Sequence, residues 1–458
     1  MKENKMGTMP IGKLLLTMSL PMIVSMLVQA LYNVVDTYFV SQISIDAVTA
    51  LSNAFPVQNL IIGFATGSAV GMNALLSKSL GEKNHKLANK VAANGTWLAI
   101  AGYAIFLIFG LFFTKIYMNA MTEKEVVAKM GADYLAICCI FSFGIFGEIL
   151  FERLMQSTGR TVFTMITQGV GAIINIILDP IMIKGWGFIP AMGIKGAAWA
   201  TVIGQIVAFL IAVIMNQCYN KEIALQKSFR KPDFRMCGKI MGIGFPSIIM
   251  VAIGSLMTVS MNQILKNIDV TEISVAVFGI YFKLQSFIFM PIFGLNNGFI
   301  PIVAFNYGAQ NRKRMIKVIR YAVITAVCIM TLGFLVFQLI PDKLLLIFKP
   351  EDGDITKLLD FGVPALRIIS MCFPVAAVCI IMGSVFQALG KSINSMMVSI
   401  ARQLLVLIPV AFMLSLSGTV TAVWWAFPIA EVASLAASVI LFILLYNKMI
   451  KPIPEGAD

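Results

Sequence analysis

The stretch Gln29-Ala-Leu-Tyr-Asn-Val-Val-Asp36-Thr-Tyr-Phe-Val40 places an acid inside a long apolar run. The run extends from Leu14 to Val40, which is long enough for one helix to cross a bilayer. A carboxylate in the centre of such a helix costs roughly 2.5–3.5 kcal/mol on insertion scales, so intramembrane acids usually face a bundle interior or a hydrated cavity. We therefore interpret Asp36 as part of an internal site in a membrane protein.

The composition indicates many membrane spans. Of the 458 residues, 59% are hydrophobic and 12% are charged, whereas a soluble domain carries about 25% charged residues. Charged and Gly- or Pro-rich loops divide the chain into twelve apolar segments, which predicts an all-α polytopic membrane protein with twelve transmembrane helices. The predicted spans lie near residues 12–42, 46–79, 90–114, 128–156, 161–184, 194–219, 238–267, 271–304, 315–339, 357–389, 393–414 and 420–447.

The net charge of +13 is distributed as a topology signal. Lys and Arg concentrate in alternate short loops, such as residues 83–90 and 312–320, which predicts that both termini lie in the cytoplasm and the protein in the cell membrane. The basic residues therefore indicate a bilayer and no nucleic acid as partner. The 7 Cys and single His lack metal-ligand spacing, so we expect no cofactor.

The two halves of the chain share motifs in the same order, at offsets of about 225–231 residues. An even number of spans in each copy gives both copies one orientation, related by an axis along the membrane normal. We predict two pseudo-twofold-related six-helix lobes, 1–219 and 238–458, the second with a short cytoplasmic tail, joined by a basic cytoplasmic linker at 220–237. The matched motifs are Leu20-Pro21 with Phe245-Pro246, Gly67 and Gly71 with Gly294 and Gly298, residues 80–84 with 307–311, 155–161 with 386–392, and 193–199 with 418–424.

A second acid, Asp179, ends the run Asn175-Ile-Ile-Leu-Asp179-Pro180 near the outer end of the fifth span. Asn175 and Asp179 are four residues apart and share one helix face. The sixth span runs inward from about residue 194, which puts Thr201 and Gln205 at a similar depth. Oxygen ligands of this kind suit a proton or Na⁺. The sequence thus predicts a cation-coupling site of Asp36, Asn175, Asp179 and Thr201, where H⁺ or Na⁺ is the coupling ion.

The alternative for both acids is a purely structural role, in which neighbouring polar groups cap each carboxylate. Two like charges in an apolar pocket repel, so one of the pair would favour holding a proton. Pro21 lies fifteen residues before Asp36 and removes a backbone hydrogen bond, so protonation would bias a hinge there. A static kink tolerated in lipid explains Pro21 equally well.

The second lobe carries different charged residues. Met261 aligns with Asp36, while Lys283, Arg367, Arg402 and Glu431 fall within its spans. We expect Glu431 to pair with Arg402 or Lys283 for structure. Glu148, in the inner half of the fourth span, has no assigned role at this stage.

With these motifs the chain resembles the multidrug and toxic compound extrusion (MATE) transporters, in the prokaryotic branch that includes the DinF-like and MepA-like members. The resemblance covers nearly the whole chain and implies two lobes around a central cleft. It also implies that Asp36, Asn175, Asp179 and Thr201 form the cation site of the first lobe. The matching motifs are Gln29…Tyr32…Asp36, Gln156-Ser157-Thr158-Gly159, Asn175 to Pro180 and Gly193-Ile-Lys-Gly196-Ala-Ala-Trp-Ala-Thr201.

The function that the resemblance implies is export of cationic amphipathic compounds by H⁺ or Na⁺ antiport with alternating access. Gln29, Tyr32 and Tyr134 would line the cavity, together with Gln205 at the depth given above. The alternative is a flippase for lipid-linked saccharide or peptidoglycan precursors, which would need a basic cavity. An enzyme is not expected, because no nucleophile–base constellation or phosphate-binding loop is present in the sequence. We expect a monomer.

Overall fold

A computed structural model describes residues 4–187, 190–223, 231–269, 273–348 and 355–455, and the regular elements there are helices. The helices of the first half are α1 (Lys5–Thr8), α2 (Ile11–Ser41), α3 (Ile45–Gly81), α4 (His85–Phe112), α5 (Thr114–Met121), α6 (Glu125–Ile140), α7 (Phe143–Ser157), α8 (Thr161–Lys184) and α9 (Ile194–Tyr219). Those of the second half are α10 (Phe234–Ile268), α11 (Ile273–Gly308), α12 (Arg312–Leu339), α13 (Pro341–Leu346), α14 (Ile355–Ser370), α15 (Phe373–Ala388), α16 (Ser392–Ser415), α17 (Val420–Trp424) and α18 (Ala426–Leu445).

The predicted membrane spans are confirmed. Within the described ranges, 10 stretches of helix are long and apolar enough to cross a membrane, and two bent helix pairs bring the number to 12. The fifth and sixth spans, α8 and α9, begin and end at the predicted residues. The exact lobe boundaries remain a prediction, since residues 224–230 of the proposed linker lie outside the described residues.

The fourth and tenth spans are broken, which the hydropathy pattern did not predict. Helices α6 and α7 meet at 44°, and α14 and α15 meet at 48°. In the second half, Pro374 follows the break; proline lacks a backbone donor and disfavours helix in the residue before it. In the first half, where the break holds no proline, Ser142 Oγ donates to the Cys139 carbonyl at 2.8 Å. The two breaks lie at repeat-equivalent positions.

Both ends of the described chain lie against the start of α12. Arg314 is buried, and its Nη2 donates to the carbonyls of Met6 at 3.2 Å and Met9 at 2.7 Å. Arg312 Nη1 donates to the Lys451 carbonyl at 2.7 Å. We call this end of the molecule the terminal face. The common position of the two ends agrees with an even number of spans.

Glycines allow the two halves to pack closely. A Cβ on Gly71 of α3 would overlap the Ile240 carbonyl oxygen of α10, and one on Gly298 of α11 would lie 2.6 Å from Ser19 Oγ of α2. Gly71 and Gly298 were matched as repeat equivalents in the sequence, and each makes the same kind of contact with the other half. Small residues of this kind let helix backbones approach in a membrane.

These contacts lie in the half of each helix nearer the terminal face. The series begins with Gly81, which packs against Phe305 and Ala309, and ends at Gly63, where Val251 would be 3.7 Å from a Cβ. Helix α3 ends at Gly81, near the terminal face, and Gly63 lies halfway along the helix. The glycine contacts thus join the halves from the terminal face to about mid-depth.

Gly71→Ala is expected to lower the melting temperature of the purified protein, because the added methyl has no space between α3 and α10. Overpacking of this kind costs about 1–3 kcal/mol. Gly242→Ala in α10 is the matched control: a Cβ there meets nothing within 4 Å, and alanine favours a helix over glycine by about 1 kcal/mol. An equal or higher melting temperature for Gly71→Ala would contradict the close contact.

Candidate cation and substrate site

A cavity of about 120 Å³ lies within the first half of the molecule, between α2, α3, α7, α8 and α9. A cavity of this volume holds several water molecules. Its polar lining comes from all five of these helices and includes both predicted and unpredicted residues. The polar residues that line it are Ser25, Gln29, Tyr32, Thr66, Glu148, Glu152, Arg153, Gln168, Asn175, Thr201 and Gln205.

Asn175 and Thr201 join α8 to α9 at the cavity wall. Asn175 Nδ2 donates to Thr201 Oγ1 at 3.2 Å. The other amide atom, Asn175 Oδ1, is buried and has no hydrogen-bond partner among the described residues. The two helices approach closely here because Gly171 and Gly204 face each other. The structure therefore brings these two predicted residues together and leaves one acceptor available.

Asp36 and Asp179 do not line the cavity but lie next to it. Asp36 is one turn beyond the lining residue Tyr32, and Asp179 is one turn beyond Asn175. Since α2 and α8 both start near the terminal face, each aspartate lies on the side of the cavity away from that face. The two carboxyl groups are close enough to interact electrostatically.

Three of the four carboxylate oxygens of Asp36 and Asp179 accept no hydrogen bond from the described residues. Both carboxylate oxygens of fully buried Asp179 and the Oδ1 atom of Asp36 have no hydrogen-bond partner among the described residues. A buried acceptor of this kind requires an explanation, and a bound cation is one. All four predicted residues carry oxygen atoms, the ligand type that hard cations prefer. The structure joins Asn175 to Thr201 directly and places the two aspartates one turn beyond the cavity lining. In the described part of the chain, no cluster of three or more His, Cys, Asp or Glu could hold a metal ion.

The predicted cavity residues fall in two places. Gln29, Tyr32 and Gln205 line the cavity, and the Tyr32 hydroxyl is within electrostatic range of both aspartates. Tyr134 is buried behind the lining, where its hydroxyl accepts a hydrogen bond from Gln58 Nε2 at 2.8 Å. Tyr134 thus connects α6 to α3 at this level.

Pro21 lies inside an uninterrupted α2, between Ser19 and Ile23. These two neighbours are the residues of α2 that pack against Gly298 and Gly294 of the other half. Any bend at Pro21 would therefore act directly on the contact between the halves.

A second acidic pair lines the cavity, on α7. Glu148 and Glu152 are four residues apart on one helix face. Glu152 is buried, and its two oxygens accept hydrogen bonds from Thr167 at 2.9 Å and Gln168 at 2.8 Å. Glu148 makes no hydrogen bond or ion pair within the part of the chain that the structure describes. The sequence analysis left Glu148 without a role and missed Glu152, although the spacing rule applied to Asn175 and Asp179 would have found the pair.

Arg153 connects the cavity to the other half of the molecule. Its Nη1 donates to Gln156 Oε1 and to Asn297 Oδ1 of α11, both at 2.8 Å. The sequence analysis missed this role. Arg153 follows Glu152 in the chain and is within electrostatic range of its carboxylate. Among the described contacts no ion pair joins the two, and Arg153 Nη1 donates to one amide on α7 and one on α11.

The second half contains an ion pair instead of an acidic pocket. Arg402 Nη1 donates to Glu431 Oε2 at 3.3 Å, which is one of the two pairings expected from the sequence. Arg402 lies in a π-helical turn, Ala401–Leu407, of α16. The other candidate, Lys283, places its Nζ atom 5.8 Å from the centroid of the Phe348 ring. Met261, aligned with Asp36, is fully buried, and its thioether offers no oxygen ligand for a cation.

Comparisons with known proteins agree with this architecture. The sequence profile of the MatE family matches residues 21–181 and again 246–413, a separation equal to the internal repeat. The multidrug export protein MepA of Staphylococcus aureus (strain bovine RF122 / ET3-1) is 24% identical over 95% of this chain and 94% of its own length. MepA of Staphylococcus haemolyticus (strain JCSC1435) is also 24% identical, over 96% of this chain and 95% of its own.

Solved structures share the fold. One, described as the outward-facing conformation of a multidrug resistance MATE family transporter of the MOP superfamily, has a TM-score of 0.92 at 21% identity and covers 98% of this chain and 99% of its own. Another, a MOP superfamily transporter from Pyrococcus furiosus whose binding pocket is described as having reverse polarity, has a TM-score of 0.89 at 22% identity, with 98% and 99% covered. The predicted all-α fold with two lobes is thereby confirmed. Since the family profile matches both halves over most of their length, the chain belongs to the MatE family, whose members are membrane transporters and not enzymes.

Proposed function

We propose that this chain is a multidrug efflux transporter of the cell membrane, which exports cationic amphipathic compounds in exchange for H⁺ or Na⁺. The observation that carries the proposal is the pair of aspartates with unpartnered buried oxygens, one turn beyond a polar cavity. The multidrug export proteins among the relatives support the substrate class. Both termini are proposed to lie in the cytoplasm, and the working unit to be one chain.

The coupling ion would bind at Asp36, Asn175, Asp179 and Thr201. A cation there neutralises negative charge next to the cavity, so it weakens the attraction that holds a cationic substrate. Loading of the ion and release of the substrate would then favour each other. Asn175 belongs to both the proposed ion site and the cavity wall, so ion binding would be felt directly at the substrate.

The conformational change would involve the contact between the lobes. With a cytoplasmic terminal face, the glycine contacts described above would hold the lobes together on the cytoplasmic side, which favours a cleft that opens outward. Pro21 lies between the two α2 residues of that contact, which supports the proposal that it is a hinge. Neutralisation of Asp36 on the same helix would bias the bend.

The driving force depends on how many ions enter for each substrate. One-for-one exchange of H⁺ for a monovalent cation moves no net charge, so a tenfold proton gradient, about 1.4 kcal/mol, supports a tenfold substrate gradient. A second inward proton for each substrate would add the membrane potential, about 2.3 kcal/mol for one net charge across 100 mV.

The test is transport of a fluorescent cationic dye by the purified protein in proteoliposomes, with pH and Na⁺ gradients imposed independently. We expect one of the two gradients to drive dye movement, and the dye to stimulate counterflow of the same ion. Dye transport that responds to neither gradient would contradict the antiport mechanism. Protein-free vesicles control for passive dye partition.

The alternative, a flippase for lipid-linked saccharide or peptidoglycan precursors, has less support. Such a substrate requires free cations for its pyrophosphate. Arg402 is engaged by Glu431, and the cavity lining carries two glutamates against one arginine. A melting-temperature increase with a lipid pyrophosphate, and none with cationic dyes, would favour the flippase.

A further inference from the structure

The cavity lining presents unused hydrogen-bond acceptors. Ser25 and Asn175 are more than nine-tenths buried, and Ser25 Oγ and Asn175 Oδ1 have no partner among the described residues. Gln168 Oε1 also has no partner among the described residues, and the amide nitrogen of the same side chain donates to Glu152. Together with the Glu148 carboxylate, these atoms come from three helices, α2, α7 and α8. Their ligand is therefore one that donates several hydrogen bonds.

The charge of the lining specifies the sign of that ligand. Two glutamates and one arginine line the cavity, so the acids outnumber the base, and the guanidinium of Arg153 donates to the neutral amides of Gln156 and Asn297. Glu152 has both oxygens satisfied by neutral donors, so Glu148 is the carboxylate that remains for a ligand. The ligand that fits is a cation.

The lining does not resemble a cage for a quaternary ammonium group. Cations without N–H groups are commonly held by faces of several aromatic rings. Among the described residues that line this cavity, Tyr32 is the single aromatic side chain. A quaternary ammonium group would also leave the buried acceptors without a hydrogen-bond donor, which weakens its binding relative to a cation that carries N–H groups.

We propose that the cavity selects cations whose charged group carries N–H donors, such as guanidinium, amidinium or primary ammonium compounds, over quaternary ammonium compounds, and that Glu148 is the residue that makes this selection. This rests on the proposed function, in which the cavity is the substrate site. The planar, multiply donating guanidinium group matches a carboxylate by two parallel hydrogen bonds, and the Asn175 and Gln168 carbonyls accept from its remaining N–H groups. Because specificity is a difference in affinity between two ligands, the test compares two cations that differ only in whether the charged group carries N–H donors.

The experiment is isothermal titration of the purified protein with hexylguanidinium and with hexyltrimethylammonium, which share one charge and one alkyl chain. We expect hexylguanidinium to bind at least about tenfold more tightly to the unaltered protein, as charge-assisted hydrogen bonds exceed neutral ones in strength. In Glu148→Gln the preference should fall to within about twofold. Glu125→Gln, at the exposed start of α6, removes the same charge outside the cavity and should keep the preference.

Equal affinity of the two ligands in the unaltered protein, a preference for hexyltrimethylammonium, or binding of neither overturns the proposal, and these results need no variant to fold. A preference that survives in Glu148→Gln overturns the role of Glu148. The ion-flux assay separates this inference from the proposed function. Preferential hexylguanidinium binding without ion counterflow would contradict antiport and leave the selectivity in place. Ion counterflow driven equally by both cations would support antiport and contradict the selectivity.

Discussion

Asp36→Asn is expected to abolish ion-coupled substrate transport while the protein still folds. The substitution keeps the size of the side chain but removes the charge that would bind H⁺ or Na⁺ beside Asp179. An amide cannot exchange a proton in the physiological range, so the site would stay in one charge state. The measurement is dye-stimulated ion flux in proteoliposomes, where we expect counterflow to fall to the level of protein-free vesicles.

Two comparisons make this result specific. Asp342→Asn, in the first turn of α13, removes an exposed acid and should leave flux unchanged. Asp179→Asn should reduce coupled flux as Asp36→Asn does, because the two carboxyl groups interact and are proposed to share one ion. Flux at the unaltered rate in Asp36→Asn would show that the coupling ion binds elsewhere.

Removal of the Arg402 side chain is expected to have the largest effect on stability. In Arg402→Met the carboxylate of Glu431, buried in the second lobe, loses its cationic partner. Breaking one side of a buried pair typically costs about 3–5 kcal/mol, because an uncompensated charge remains. The melting temperature of the purified variant should therefore fall well below that of the unaltered protein.

The double variant Arg402→Met, Glu431→Leu tests whether the stability effect of Arg402 comes from its ion pair with Glu431. Replacing both members of a buried ion pair by apolar residues is often neutral or stabilising, so we expect the melting temperature to recover. A double variant as unstable as the single one would show that Arg402 acts through other contacts, such as those of its π-helical turn. Dye-driven ion flux in the double variant should persist, because the proposed ion site lies in the first lobe.

The candidate site was partly accessible to sequence reasoning. Asn175 and Thr201 could be matched in depth from the direction of their helices, and the structure joins them by a hydrogen bond. Glu148 and Glu152 lie four residues apart in an apolar run, and that spacing was available. The spacing could not show that the two glutamates differ in their hydrogen bonds. Thr167 and Gln168 of α8 donate to Glu152, while Glu148 remains without a donor among the described residues and faces the cavity.

Arg153 illustrates a limit of a different kind. From the sequence it is one of several basic residues near the terminal face, where positive charge is read as topology. Its hydrogen bond to Asn297 links residues 144 positions apart, a distance over which no local pattern carries information.

The sequence by itself determined the twelve spans, the duplication and the presence of acids inside the first lobe. Each of these follows from a local property: the length of an apolar run, a repeated motif, or a charge where hydrocarbon is expected. The tertiary structure alone decided where the fourth and tenth spans break, which ends of the lobes are in contact, and which acceptors around the cavity have no donor. These depend on how helices distant in the chain pack together, and packing is set by the shape of all the contacting side chains at once.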